Sequence, residues 1–198
     1  MNPVFSDKTK DLAPSAIREI FKSLTDPEMI SFAAGNPSPQ SFPVEKMSLI
    51  SQDIFQNDYV NAFQYSVTEG YTPLRELVKK RLASKFGINY PDDELIITTG
   101  GQQGIDLTAK VLCNEHDVVI TEDPSFIGAL NAFRAYNTRL VGVENEKDGI
   151  NVEKLEKAII ENPYCKLIYL IPTFQNPSGT TMSLEKRKRV IELANKYD

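Results

Sequence analysis

Residues 166–179 read KLIYLIPTFQNPSG. An apolar run with the length and composition of a buried strand passes directly into an asparagine set between a glutamine and a proline. Three more such runs lie upstream: ELIITT (94–99), VVIT (118–121) and RLVGV (139–143). Short β-branched or aliphatic runs bounded by turn residues mark strands covered on both faces. Each is followed by a helical pattern: GQQGIDLTAKVLC (101–113), SFIGALNAFRAY (125–136), NVEKLEKAII (151–160) and SLEKRKRVIELANKY (183–197). Strands alternating with helices predict an α/β architecture, a parallel sheet with helices on both faces. Sheets of this kind bind ligands beyond the carboxyl ends of their strands, so the residues just after each run are where function is expected.

Upstream of residue 94 the rhythm is different. PSAIREIFKSL (14–24) and VEKMSLISQDIFQ (44–56) carry apolar residues at helical spacing, with a proline-rich loop, FAAGNPSPQSFP, between them. TPLRELVKKRLASKFG (72–87) predicts a helix with Thr72 as N-cap, Pro73 at the first helical position and Gly87 as the stop.

Composition narrows the function classes. The 198 residues are 41% hydrophobic and 25% charged, with a net charge of -5. That describes a globular chain without the broad basic surface that nucleic-acid binding requires. No apolar run approaches the roughly 20 residues of a membrane span and the start carries no secretory pattern, so the expectation is a cytoplasmic protein. Cys113 and Cys165 lie far apart inside apolar segments and read as two buried thiols in a reducing compartment. His116 is the single histidine, which excludes histidine triads and multi-histidine metal sites.

Three strand ends carry chemistry. In TTGGQQGID (98–106) a strand passes through Gly100 and Gly101 into a helix near Gln102. Small residues at a helix N-terminus let backbone N–H groups approach an anion, so a phosphate is the natural guest. The bland alternative is a tight turn without a ligand. A dinucleotide site competes, with Glu122 as the ribose-binding acid, but its glycine fingerprint would need glycine where Thr99 stands. TEDPSF (121–126) places Phe126 where its ring could stack on a planar heterocycle or simply join the core. Asn176 offers an amide at the mouth of the sheet, its aim restricted by Pro177, although Asn-Pro-Ser-Gly is also a common turn.

Taken together, the motifs resemble the pyridoxal-phosphate-dependent aminotransferases of fold type I, class I/II. The resemblance covers residues 13–198 through PSAIREI, ISFAAGNPSPQSFP, QYSVTEGYTPLRELV, TTGGQQGIDL, EDPSF, GINVEKLE and IPTFQNPSGTTMSLEKRKRVIELANKYD, in the family's order. The most similar branch acts on 2-aminoadipate, kynurenine, aromatic and branched-chain amino acids. It implies pyridoxal 5′-phosphate as cofactor and transfer of an α-amino group from an amino acid to a 2-oxo acid. By the same resemblance Gly101 and Gln102 hold the phosphate, Phe126 stacks on the pyridine ring in place of a more usual tyrosine, and Asn176 donates to the phenolic oxygen. Tyr65 reaches the neighbouring site of a homodimer, and Gly35, with Asn176, serves the substrate carboxylate. Asp123-Pro124 and Asn176-Pro177 are both expected to be cis, a form taken by only about 5–6% of X-Pro bonds.

The resemblance also implies a division, with residues 1–45 forming an arm and part of a small domain and 46–198 the first part of the large cofactor domain. The chain departs from the pattern at Asn114-Glu115-His116-Asp117, where the family usually has Asn-Pro-Gly-Asp. The Schiff-base lysine, the aspartate for the pyridine nitrogen and the carboxylate-binding arginine are expected beyond residue 198, and Ser84-Lys85 on a charged helix does not replace the lysine. The 198 residues alone are therefore expected to be inactive, being an N-terminal part of an aminotransferase, and the phosphate loop is expected to stand detached from Phe126 and Asn176. Other readings are a cofactor-sensing regulatory domain, a non-catalytic dimerisation partner and, less well matched, a nucleotide-binding oxidoreductase.

Overall fold

A computed structural model describes Val4, Ser6 and residues 37–198 apart from 90 and 92; the expected helix at 14–24 and Gly35 lie outside the described residues. The chain divides between Thr98 and Thr99 into two compact units. The first contains α1 (Val44–Asn57), α2 (Tyr59–Phe63) and α3 (Thr72–Phe86). Helix α3 starts one residue earlier than the sequence suggests: Tyr71 is the N-cap, Thr72 is already helical and makes no capping bond, and Pro73 follows it. Gly87 does end the helix, in the left-handed conformation at φ 67°. Its N–H donates to Ala83 O and that of Ile88 to Leu82 O, satisfying carbonyls that a helix end leaves open.

Residues 94–98 form no strand, which corrects the reading of ELIITT. A strand exists only beside a partner, and among the described residues none lies there. Instead Ile97 N–H donates to Glu69 O at 2.8 Å, and Arg75 Nε donates to Leu95 O at 2.6 Å.

The second unit holds α4 (Gly100–Leu112), β1 (Val118–Asp123), α5 (Ile127–Arg134), β2 (Arg139–Glu146), β3 (Gly149–Ile150), α6 (Val152–Glu161), β4 (Cys165–Tyr169) and α7 (Leu184–Tyr197). The sheet order is β3-β2-β1-β4, with β1 parallel to both β2 and β4. Only the two-residue β3 is antiparallel.

Strand β1 is central, and its sequence explains why: Val118, Val119 and Ile120 are all but fully buried, because alternate residues enter two different cores. On one face Val118 and Ile120 pack with Val143, Leu155 of α6 and Val190 and Leu193 of α7. On the other Val119 meets Ala109 of α4 and Ala129 and Phe133 of α5. Each fully buried Val or Ile is worth about 1.5–3 kcal/mol, so this strand anchors the unit. Asn151 caps α6 by accepting from Lys154 N–H at 2.8 Å, and Ser183 caps α7 by accepting from Lys186 N–H. Both cysteines are free and half-buried rather than buried as expected.

Candidate active site

The carboxyl ends of β1 and β4 and the N-terminus of α4 meet at one rim. Thr99, the N-cap of α4, makes no side-chain capping bond to the first turn, and a helix N-terminus favours an anion. Gly100 has φ 76°, and a Cβ built on it or on Gly101 meets nothing within 4 Å. The helix end is therefore open beside its two glycines, with the Gln103 side chain folded back to accept from Thr99 N–H at 2.5 Å, and it suits a phosphate.

From α4 the Gln102 amide donates through Nε2 to Gly128 O at 2.9 Å. Phe126 is the N-cap of α5, half-buried against the Val119 core. Gly128 lies between these two side chains: a Cβ there would sit 2.5 Å from Phe126 Cζ and 2.6 Å from Gln102 Oε1. Helix α4 is thus joined to the Phe126 turn, which corrects the expectation of a loop detached from Phe126. Packing of α4 on the sheet through Ala109 and Ile105 suffices.

The two expected cis bonds, Asp123-Pro124 and Asn176-Pro177, are both present. Asn176 is exposed, and the residue before it is not: Gln175 is 3% exposed and Glu122 2%. Glu122 Oε2 accepts from Ile171 N–H at 2.9 Å and from Gln175 Nε2 at 3.4 Å. Gln175 Nε2 also donates to Pro124 O at 2.8 Å, and Gln175 Oε1 accepts from Ser178 N–H at 2.8 Å. Burial pushes the Glu122 carboxyl above the ordinary glutamate range, against the opposing pull of the Ile171 and Gln175 donors.

Arg187 of α7 secures the same loop from the other side. Its Nε donates to Met182 O at 3.0 Å, and its guanidinium donates to Pro172 O at 2.5 Å and Thr173 Oγ1 at 2.9 Å. One planar fork holds both ends of the segment that carries Asn176.

Gln175, Gly128 and Arg187 were not among the expected site residues, and Glu122 entered only as the ribose-binding acid of the competing dinucleotide reading. The signal for Glu122 is a carboxylate closing an otherwise apolar strand, VVITE; nothing local marks the other three. Of the expected residues, the rim gathers Gly101, Gln102, Phe126 and Asn176, while Tyr65 belongs to the first unit and is 99% exposed. Among the described residues no cluster of His, Cys, Asp or Glu is placed to hold a metal ion, and no helix is long and apolar enough to cross a membrane.

The family model for aminotransferase class I and II matches residues 27–198. The chain belongs to that family. It is 37% identical over 198 residues to aromatic-amino-acid aminotransferase 1 of Thermococcus litoralis, covering 98% of this chain and 48% of the relative. It is 38% identical over 179 residues to the 2-aminoadipate transaminase of Thermus thermophilus, covering 90% of this chain and 43% of that protein. The kynurenine aminotransferase of Pyrococcus horikoshii, solved in complex with PMP, superposes with a TM-score of 0.90 at 38% identity, over 98% of this chain and 49% of its own. The fold is that of the fold type I aminotransferases, and this chain spans about half the length of the relatives it matches.

Proposed function

We propose that the whole protein transfers an α-amino group from an amino acid to a 2-oxo acid with pyridoxal 5′-phosphate as cofactor. The observation that carries this is the meeting of an open, glycine-lined helix N-terminus with an aromatic ring, the Gln102 amide and Phe126 packed on either side of Gly128. Such a rim suits a flat ring bearing a phosphate better than a nucleotide, whose glycine pattern Thr99 breaks.

In this reading Gly101 and Gln102 hold the phosphate, and Phe126 covers one face of the ring. Asn176 donates to the ring's phenolic oxygen, and an amide donor aimed there stabilises negative charge on that oxygen. The bound cofactor supplies the electron withdrawal from the amino acid's α-carbon. Tyr65, fully exposed, reaches the phosphate of a neighbouring subunit, and Gly35 lies against the substrate carboxylate. The amine nucleophile comes from elsewhere in the whole protein, since Lys85 sits exposed on α3. Aromatic amino acids, kynurenine and 2-aminoadipate are the donors to try, because proteins similar to this one bear those names. A cytoplasmic homodimer is the proposed setting.

The test is a visible absorption spectrum of the purified whole protein with pyridoxal phosphate, before and after borohydride, beside amino-transfer assays with those donors and 2-oxoglutarate. A yellow, borohydride-sensitive band together with transfer supports the proposal. A band without transfer to any 2-oxo acid points to a cofactor-sensing domain, and the absence of both overturns the reading.

A further inference from the structure

We infer that Glu122 and Gln175 are positioning residues, a buried carboxylate–amide clasp that fixes the Asn176 loop against the Phe126 loop and so sets the aim of the Asn176 amide. The inference rests on the proposed cofactor site, but the clasp itself is made only by residues of this chain.

The geometry gives each polar atom of the Gln175 side chain a task. Its Nε2 carries two donors and faces two acceptors, Glu122 Oε2 and Pro124 O. Its Oε1 faces one donor, Ser178 N–H. An ionised carboxylate only accepts, so Glu122 admits one orientation of the amide and rejects the flipped one. The main chain is held as well, Gln175 N–H donating to Thr180 O at 2.8 Å and Gln175 O accepting from Gly179 N–H at 2.5 Å. Pro124 is two residues from Phe126, and Gln175 adjoins Asn176. The clasp is thus a direct polar link between the proposed ring-covering and oxygen-facing sides of the site.

Stability alone does not account for it. Among the described residues no cation pairs with Glu122, and a carboxylate 2% exposed without one is costly. A buried apolar pair of similar volume is often as stable as a polar one. What an apolar pair lacks is direction: it would fill the space and leave the two loops free to slide. The 2.8 Å bond to Pro124 O carries the link between the loops, while the 2.8 Å bond from Ser178 N–H holds the amide within its own turn. The longer 3.4 Å contact with Glu122 selects the amide's orientation.

The experiment compares the whole protein with its Gln175→Leu, Glu122→Leu and Glu122→Gln variants, using two measurements. First, pyridoxal phosphate is added to saturation, and the circular dichroism per bound cofactor and the pH dependence of its absorption are recorded. Gln175→Leu and Glu122→Leu are expected to lose most of the dichroism, to titrate at higher pH and to bind the cofactor about tenfold more weakly, the equivalent of one lost net hydrogen bond. Glu122→Gln, which keeps an acceptor for Ile171 N–H and the Gln175 amide, is expected to stay within about twofold of wild type. A purely structural role would lower the melting temperature and leave the saturated spectrum unchanged, and that result overturns the inference. Second, amide hydrogen exchange of the cofactor-free protein is followed over residues 122–128 and 172–181. Gln175→Leu is expected to accelerate exchange in both segments together; acceleration in one alone, or in neither, also overturns the clasp. If wild type binds no pyridoxal phosphate, the functional proposal fails, while the exchange measurement still decides whether the clasp exists.

Discussion

The two rims of the same sheet are closed in opposite ways. At the amino ends of the strands the main chain makes most of the ties: His116 N–H donates to Asn137 O, Val118 N–H to Tyr164 O and Arg139 N–H to Asp117 O, while Asn114 N–H donates to the Asp117 carboxylate. Its buried amide, Asn162, donates to Ala158 O four residues back and accepts from Arg139. At the carboxyl ends Glu122 and Gln175 meet across 53 residues of chain, and Gln102 reaches Gly128 across 26. One rim is closed mostly through the main chain, and the other by side chains that tie its loops to each other. A rim that only had to end strands could use the first scheme throughout, and the second is the one proposed to carry the site.

The sharpest way to break this contrast is Gly128→Val. A side chain there meets the Phe126 ring and the Gln102 amide at 2.5–2.7 Å, and misfit of this kind costs about 1–3 kcal/mol. If that cost falls on the site rather than the core, cofactor affinity drops about tenfold to a hundredfold while the melting temperature hardly moves, as titration and calorimetry would show. An unchanged affinity would show that the meeting of these side chains has nothing to do with a ligand.

Next in size is Arg187→Ala. It removes three donors to the two ends of the 172–182 loop, and bonds from a charged donor are worth about 1.5–3 kcal/mol. An unfolding free energy lowered by about 2 kcal/mol is expected, read from denaturant titration, with limited proteolysis newly cutting within 172–182. A loss of stability without new cleavage there would mean that Arg187 supports α7 and not the functional loop.

A smaller effect separates the buried carboxylate from its counterpart on the other rim. Burial raises the folded-state pKa of Glu122 above its unfolded value, and the nearby Tyr169, itself shifted up by burial and by Glu122, is neutral across the carboxyl range. The stability linked to Glu122 is therefore complete below the unfolded value and is lost as pH rises through the folded one. Glu122→Gln should match wild type in acid and become relatively more stable as pH rises through that window, as followed by thermal melts across pH. A difference that shrinks with rising pH would reverse the sign and show the carboxylate to be favourably paired.

These effects also show what the sequence can and cannot reveal. VVIT, RLVGV and KLIYLI are legible as strands because burial selects aliphatic residues on both faces, and the three stretches expected to carry chemistry follow from chain order. ELIITT has the same composition and forms no strand, because pairing depends on a neighbour that no local pattern encodes. Phe126 and Asn176 are legible by their place after a strand, and Gln102 by the glycines that open its helix. Gln175 and Glu122 are residue types normally given to solvent, and only contacts about 50 residues apart put them inside. Gly128 is silent for another reason: its importance is the absence of a side chain where two others need the space.

The smallest effect tests the amino-end rim. His116 occupies the position where the family usually has glycine, and its backbone is left-handed at φ 70°. For a residue with a Cβ that conformation costs about 1–2 kcal/mol, part of which glycine gives back through its greater freedom in the unfolded chain. His116→Gly is therefore expected to raise stability by about 0.5–1 kcal/mol, read as a higher denaturant midpoint, with cofactor affinity and spectrum unchanged. The histidine ring is not needed for the closure, since the backbone bonds from His116 N–H to Asn137 O and from Asp117 N–H to Asn114 O survive the change. A shift in the cofactor's spectrum would be the informative surprise, because it would mean that the two rims communicate through the sheet and that local closure at one end helps to aim the loops at the other.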